Sequence, residues 1–327
     1  MTRSISRRGL GLAAGGILAA PAVARAQAGW PERPIRWIVP FPPAGTADIF
    51  SRMLAEHIGR RFGQPVSVEN RAGAGGTLAA NLLVQGRGDQ HLVMISNFGP
   101  HGASPTLFPS VTYDAQADFT HVGFLGALPM VLAAHPSFPA NDAATLLQMA
   151  RAQGTDFTMG FGGTGTASHL IGLAMHRAAG INPTFVPYRG SGPLLNDVMG
   201  NTVPTMIDTL SAAIGHIRAE RIKALAVSSP ERSAALPDVP TFAELGLEAA
   251  TAMNWFGLAM PAGMPGWLVE RWAEALRETL ALPDIQERLA QLGVVGTNID
   301  PVFMTEHVGR EVERWRAVIR ENNVTVG

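Results

Sequence analysis

The sequence predicts an α/β protein of two lobes joined by a double-crossover hinge. Three observations predict it. Short apolar runs alternate with helical patterns from residue 29 to about residue 250, and several of those runs are continuously apolar, as in strands buried on both faces of a parallel sheet. Beyond that point the pattern changes to successive helices with little strand between them. The length of 327 residues, with 46% hydrophobic residues, 24 prolines and 36 glycines, suits one large or two ordinary α/β domains with many sharp connections.

The elements follow in order. Strands are predicted at IRWIVP (35–40), VSVEN (66–70), LVMISN (92–97), HVGFLGA (121–127) and MVLAAHP (130–136). Further strands are predicted at FTMGF (157–161), TFVPY (184–188), VPTMID (203–208), IKALAVSS (222–229) and WFGLAMPA (255–262). Helical periodicity covers 46–62, 75–86, 142–152, 166–179, 193–200 and 211–220, then 265–281, 283–293 and 301–322 in the tail. MVLAAHP and WFGLAMPA bracket the second group of units and mark where the chain crosses out and back. The first lobe is therefore discontinuous, residues 29–128 plus 252–327, and the second is 129–251. Two lobes on a double hinge leave a cleft suited to a small ligand.

Residues 1–26 read as an export signal. MTRSISRR carries three arginines and no acid, GLGLAAGGILAAPAV is apolar and small, and Ala24-Arg25-Ala26 is an A-x-A site with cleavage after Ala26. Ser6-Arg7-Arg8-Gly9-Leu10 has the twin-arginine pattern as well as that of an ordinary basic leader. No later stretch is long and apolar enough to span a bilayer. Removing the leader's four arginines leaves 21 cationic residues against 26 acidic, a net charge of −5, which argues against a nucleic-acid surface. The absence of cysteine removes disulfides, thiolate catalysis and cysteine zinc sites.

The strand-to-helix junctions carry the functional signal. In PFPPAGTAD (40–48), Pro40, Pro42 and Pro43 stiffen the strand exit, Gly45 frees the backbone, and Thr46 or Asp48 is placed to cap the helix. The first amides of a helix lack internal partners, and with the helix dipole they attract anions. The second group repeats this device at Gly162-Gly163-Thr164-Gly165-Thr166, at Arg189-Gly190-Ser191-Gly192, and at Asp208-Thr209. A capped turn alone is common, but several Gly/Ser/Thr turns at strand ends facing one cleft suit a carboxylate. Arg189 is placed equally well to reach that carboxylate or to pair with a surface acid.

Other chemistries find less support. Gly160 to Gly165 fits G-x-G-x-x-G, but no acidic residue occurs from Phe157 through Asn196, where a dinucleotide's ribose would need one. His169 and His176 share a helix without a third ligand, so packing is the expected role rather than metal. His101 lies in NFGPHGASP, a stretch expected to border the cleft. Trp255, Trp267, Trp272 and Trp315 are expected in the core or the hinge. No catalytic nucleophile, metal or cofactor is implied.

Seven segments, in order, resemble the Bug family, the TctC-type periplasmic solute receptors of tripartite tricarboxylate transporters. They are RPIRWIVPFPPAGTADIFSR, GQPVSVENRAGAGGTLAA, YDAQADFTHVG, GTGTASHL, VPYRGSGPLLNDVMG, ALAVSSPERSAALPDVPTFAELGL and WFGLAMPAGMP. The resemblance implies a type II periplasmic-binding-protein fold, a small carboxylate held in the cleft, and a membrane permease as partner to a monomeric receptor. It places ligand-binding positions at Phe41, Pro42, Pro43, Gly45, Thr46 and Asp48 in the first loop and at Asn97 on the third strand end. In the second lobe it places them at Gly163, Thr164, Gly165, Thr166, Ser168 and His169, then Tyr188, Arg189 and Asp208. Ala44 occupies a loop position where the family has glycine, and GDQHLVM (88–94) departs from the usual PDGYTLL. A sensory receptor serving a signalling partner, or an exported hydrolase or lyase using the same cleft, are the alternatives.

Overall fold

The structure is a computed structural model, and it describes residues 29–43 and 45–325. The export signal at 1–26 and Ala44 lie outside the described residues.

The elements are β1 (Ile35–Val39), α1 (Thr46–Phe62), β2 (Val66–Asn70), α2 (Thr77–Gln85), β3 (Leu92–Asn97), a π-helical turn (Gly99–Ala103) and a short α3 (Ser104–Leu107). They continue with β4 (Phe119–Ala134), α4 (Ala143–Gln153), β5 (Thr158–Phe161), α5 (Ala167–Ala179), β6 (Thr184–Pro187), α6 (Ser191–Met199), β7 (Thr205–Thr209), α7 (Leu210–Arg218) and β8 (Lys223–Val227). The last are β9 (Met253–Pro261), α8 (Gly266–Leu280), α9 (Pro283–Leu292) and α10 (Pro301–Glu321).

Local sequence accounts for most of these. The first helix buries Ala47, Phe50, Leu54, Ile58 and Phe62 at helical spacing, and it ends at Gly63 with Arg60 and Arg61 in its last turn. β3 is buried along its whole length, which explains its unbroken apolar run. Trp272 on α8 sits in an aromatic cluster, its ring centroid 5.1 Å from Phe62, 5.9 Å from Trp37 and 6.4 Å from Trp30. Trp255, Trp272 and Trp315 are fully buried.

One strand differs from expectation. Residues 121–127 and 130–136 were expected as separate strands. They form a single strand, β4, because Pro129 stands where the ladder changes partners. Up to Pro129 the strand pairs with β9, ending at Pro129 opposite Met253. From Met130 it pairs with β7 and β8. The strand order is β2-β1-β3-β9-β4-β7-β5-β6, with β8 also on β4.

The register determines which ends meet. β1, β2 and β3 are parallel, and Asn97, the last residue of β3, pairs with Phe256, which in turn pairs with Gly126. β5, β6 and β7 are parallel too, and Thr209, the last residue of β7, pairs with Met130. Both sets of parallel strands therefore point their carboxyl ends at the same short stretch of β4. Ligands of open α/β sheets bind at such ends. The tail helix α10 packs on β4 and on the π-helical turn, and its Glu321 pairs with Arg177 of α5.

Candidate functional site

A cavity of about 360 Å³ lies where the two sets of strand ends face each other. Its walls are the turns β1–α1, β5–α5, β6–α6 and β7–α7, together with the end of β3 and the start of β9.

Four helices start on this cavity. The N-terminal caps of α1, α6 and α7 are Gly45, Gly190 and Thr209, and none of them caps its helix with a side-chain hydrogen bond. Gly190 has φ 112°, a conformation glycine adopts without strain. Only α5 is capped, by the Thr166 hydroxyl, which accepts from the His169 amide at 3.4 Å. Three of the four helix starts around this small volume therefore have no side-chain cap from their N-cap residue among the described residues. The arrangement is a donor-rich pocket aligned with helix dipoles, suited to negative charge.

The structure brings most predicted residues to the cavity wall: Phe41, Pro42, Pro43, Gly45, Thr46, Asn97, Thr164, Gly165, Thr166, Ser168, Arg189 and Asp208. The Thr46 hydroxyl lies 3.4 Å from that of Ser211 on α7, so the first turn touches the opposite side of the cavity. Asn97 is held by Asn254 (3.0 Å) and the Trp255 carbonyl (3.2 Å), and its own side-chain oxygen accepts from the Gly99 amide at 2.9 Å. Its role is to shape the wall. Arg189 is exposed at the cavity and makes no ion pair among the described residues.

Four predicted residues are placed elsewhere. Asp48 does not cap α1 and does not line the cavity. Its carboxylate accepts from Arg52 Nε at 3.0 and 3.1 Å and from Asn70 Nδ2 at 2.9 Å, and the same Asn70 amide donates to the Phe41 carbonyl at 3.0 Å. Asp48 thereby anchors the proline turn from behind. Gly163, at φ 135°, is the corner of its loop, and its carbonyl accepts from the Thr166 hydroxyl at 2.7 Å. His169 stacks on Phe161 at 4.5 Å, accepts the Gly165 amide at 3.1 Å, and is pushed down to about 4 by burial, so it is neutral. The Tyr188 hydroxyl donates to Asp197 at 2.7 Å, and burial first, then Asp197, raises it to about 12.

His101 was expected at the cleft border. It is fully buried in the π-helical turn, its ring 4.5 Å from Phe119 and 5.6 Å from His121. His176 packs edge-on to Phe185 at 4.5 Å, and His169 lies tilted against the same ring at 5.8 Å. No cluster of metal-ligating side chains occurs among the described residues.

Sequence reasoning missed Gly75, Phe98, Gly99, Asn254 and Phe256 on the wall. Phe98 and Gly99 directly follow Asn97, so the strand end itself was a signal. Asn254 and Phe256 come from β9, which runs antiparallel to β3, and no turn motif announces them.

Thr166→Val removes the α5 cap and the bond to Gly163. It is expected to cost about 1 kcal/mol of stability, read from the denaturation midpoint. A midpoint equal to that of the unsubstituted protein would show that the cap contributes nothing.

Comparison with known proteins bears on the same geometry. The family model described as the tripartite tricarboxylate transporter family receptor, TctC, matches residues 50–324. The chain is 31% identical to the periplasmic binding protein BugD, with 90% of this chain and 99% of that one covered and a TM-score of 0.79. It is 31% identical to MatC of Rhodopseudomonas palustris, solved with bound malate, over 89% of this chain and all of that one, at a TM-score of 0.78. A further R. palustris protein, solved with adipate, is 29% identical over 90% of this chain and 99% of its own, at a TM-score of 0.82. These similarities establish the two-lobed periplasmic-binding-protein fold. The strand ends that meet on β4, the donor-rich cavity and the match over most of the chain agree, and the chain belongs to the TctC, or Bug-type, family of periplasmic solute-binding receptors.

Proposed function

We propose that the chain captures a small organic carboxylate between a first lobe, residues 29–128 plus 252–327, and a second, residues 129–251, and delivers it to a membrane transporter of the tripartite tricarboxylate type. The observation that carries this is the convergence of four helix starts, three without side-chain caps, on one cavity. Backbone amides hold the carboxylate, and Phe41, Phe98 and Phe256 face its carbon skeleton. The wall positions Gly45, Thr46, Thr164, Gly165, Thr166, Ser168 and Arg189 supply donors from both lobes. A ligand that touches both lobes shifts the population toward the closed form, which is the form a transporter would engage.

Residues 1–26 act as the export signal, and the receptor works in the periplasm as a monomer without a cofactor. The malate and adipate held by the two relatives support a carboxylate as the ligand class.

A melting screen with malate, adipate, benzoate, nicotinate and glutamate tests the proposal. A ligand at 100 times its dissociation constant contributes about 2.7 kcal/mol, which raises Tm by a few degrees. If no carboxylate in the screen moves Tm or releases heat on titration, the carboxylate assignment fails.

A further inference from the structure

The cavity built to attract an anion contains a buried carboxyl group of its own. Asp208 ends β7 and lines the cavity, yet it is only 3% exposed. Its Oδ1 accepts from the Thr209 amide at 2.8 Å, and its buried Oδ2 has no hydrogen-bond partner among the described residues. The turn at Gly162 presses against it, so closely that a side-chain carbon there would stand 2.9 Å from Oδ1. A ligand carboxylate seated on the helix starts therefore shares the cavity of about 360 Å³ with a second carboxyl group.

The neighbours of Asp208 do not neutralise it. Its strand partners β4 and β5 place no titratable side chain beside it over Met130–Ala134 and Thr158–Phe161. From α5, His169 and His176 are both buried and neutral at physiological pH. From α6, Asp197 is bonded to Tyr188. From α7, His216 and Arg218 lie in the last turn, at the opposite end of the helix from Asp208. Arg189 lines the cavity but is exposed and makes no ion pair with Asp208. Burial raises the Asp208 carboxyl to about 6, partly offset by the Ser191 hydroxyl and the Thr209 amide. The group is thus close to titrating before any ligand arrives.

We propose that Asp208 couples anion capture to proton uptake: when a carboxylate enters the cavity, Asp208 takes one proton from solvent and becomes the neutral acid. Two like charges in one low-dielectric site raise the proton affinity of one of them. The proton goes to the protein's own buried group, because the ligand sits on amide donors that favour its ionised form. This rests on the carboxylate assignment made above. It adds that affinity falls as pH rises through the window in which the free protein's Asp208 is ionised and the complex holds it protonated. In that window the dissociation constant rises up to about tenfold per pH unit.

Calorimetric titration tests this with malate and adipate between pH 6.5 and 7.5, in buffers of differing ionisation enthalpy. In that range these acids are ionised and the buried histidines are neutral. The expected result is uptake of close to one proton per ligand, with affinity weakening as pH rises. Asp208→Asn keeps the acceptor for the Thr209 amide and cannot titrate. It is expected to bind with no proton uptake and with a dissociation constant flat across the range. Binding without proton uptake in the unsubstituted protein overturns the coupling while leaving the carboxylate assignment intact. Uptake that persists in Asp208→Asn places the proton elsewhere and overturns it too. Loss of binding in a folded Asp208→Asn also overturns it, because Asp208 would then be an acceptor for a ligand donor. If neither these acids nor the wider screen bind at all, the carboxylate assignment falls and the coupling with it.

Discussion

Acidification from pH 7.5 to pH 5 is expected to lower Tm by more than about 10 °C, with the fall concentrated below pH 6.5. Six buried or half-buried histidines cause it, among them His91, which burial also pushes below its ordinary value. His121, His169 and His307 are pushed down to about 4 and His176 to about 3, in each case chiefly by burial. His101, fully buried with neither ring nitrogen hydrogen-bonded among the described residues, is pushed well below its ordinary value by burial and then by His121. A histidine whose folded pKa lies below its unfolded value of about 6.5 binds its proton more readily in the unfolded chain. Stability from these groups is complete above about pH 6.5 and is lost as pH falls toward about 4. At pH 5 a histidine shifted to 4 costs about 2 kcal/mol, and several such groups rival the 5–15 kcal/mol that holds an ordinary protein together. Two buried carboxyls act in the opposite sense. Asp208 and Glu311 are both raised by burial, so protonation on acidification relieves the folded state. Two groups offset the histidines only in part. Circular dichroism melts at half-unit pH steps give the profile. A Tm constant within about 3 °C from pH 7.5 to 5 would mean that the histidines are solvated.

Ser228→Ala is expected to cost about 2–4 kcal/mol and to loosen the junction of the two strand sets. Its hydroxyl accepts from the Met130 amide at 2.8 Å and donates to the Ala252 carbonyl at 2.6 Å, and it is fully buried. Its backbone also bonds to both residues, at 3.0 Å each. Met130 opens the section of β4 that pairs with β7, and Ala252 immediately precedes β9. One serine therefore ties together both places where the chain crosses between the strand sets. Alanine removes the hydroxyl and leaves a buried amide and a buried carbonyl without those partners, at about 1–3 kcal/mol each. Urea denaturation measures the loss, and hydrogen exchange reads the junction, where the Met130 amide should exchange faster. An unchanged Met130 exchange rate together with a stability change below about 0.5 kcal/mol would dismiss the tie.

Much of this was legible in the sequence. The first helix was expected at 46–62 and runs Thr46–Phe62, because its apolar stripe, the prolines before it and Gly63 after it are all local signals. The tail helices are likewise bounded by Pro283, Gly293 and Pro301. The Gly/Ser/Thr turns that form the cavity wall were visible as turn chemistry. Less visible was where a side chain on such a turn points. Asp48, His169 and Tyr188 sit in the expected segments, but each turns back to a partner away from the cavity: Arg52 and Asn70, Phe161, and Asp197. A polar group takes whichever partner lies within reach, and that choice depends on neighbours brought in from elsewhere in the chain.

The amino-acid order alone determined the alternation of strands and helices, the glycine and proline corners, and the donor-bearing turns, since periodicity and backbone freedom act over a few residues. Tertiary structure decided that β9 would lie between β3 and β4, that β4 would pass unbroken through Pro129, and that both sets of strand ends would meet. It also buried Ser228 at the crossing and Asp208 in the cavity. Those outcomes depend on pairings between residues far apart in the chain, where the free energy belongs to the assembled sheet and no single segment carries it.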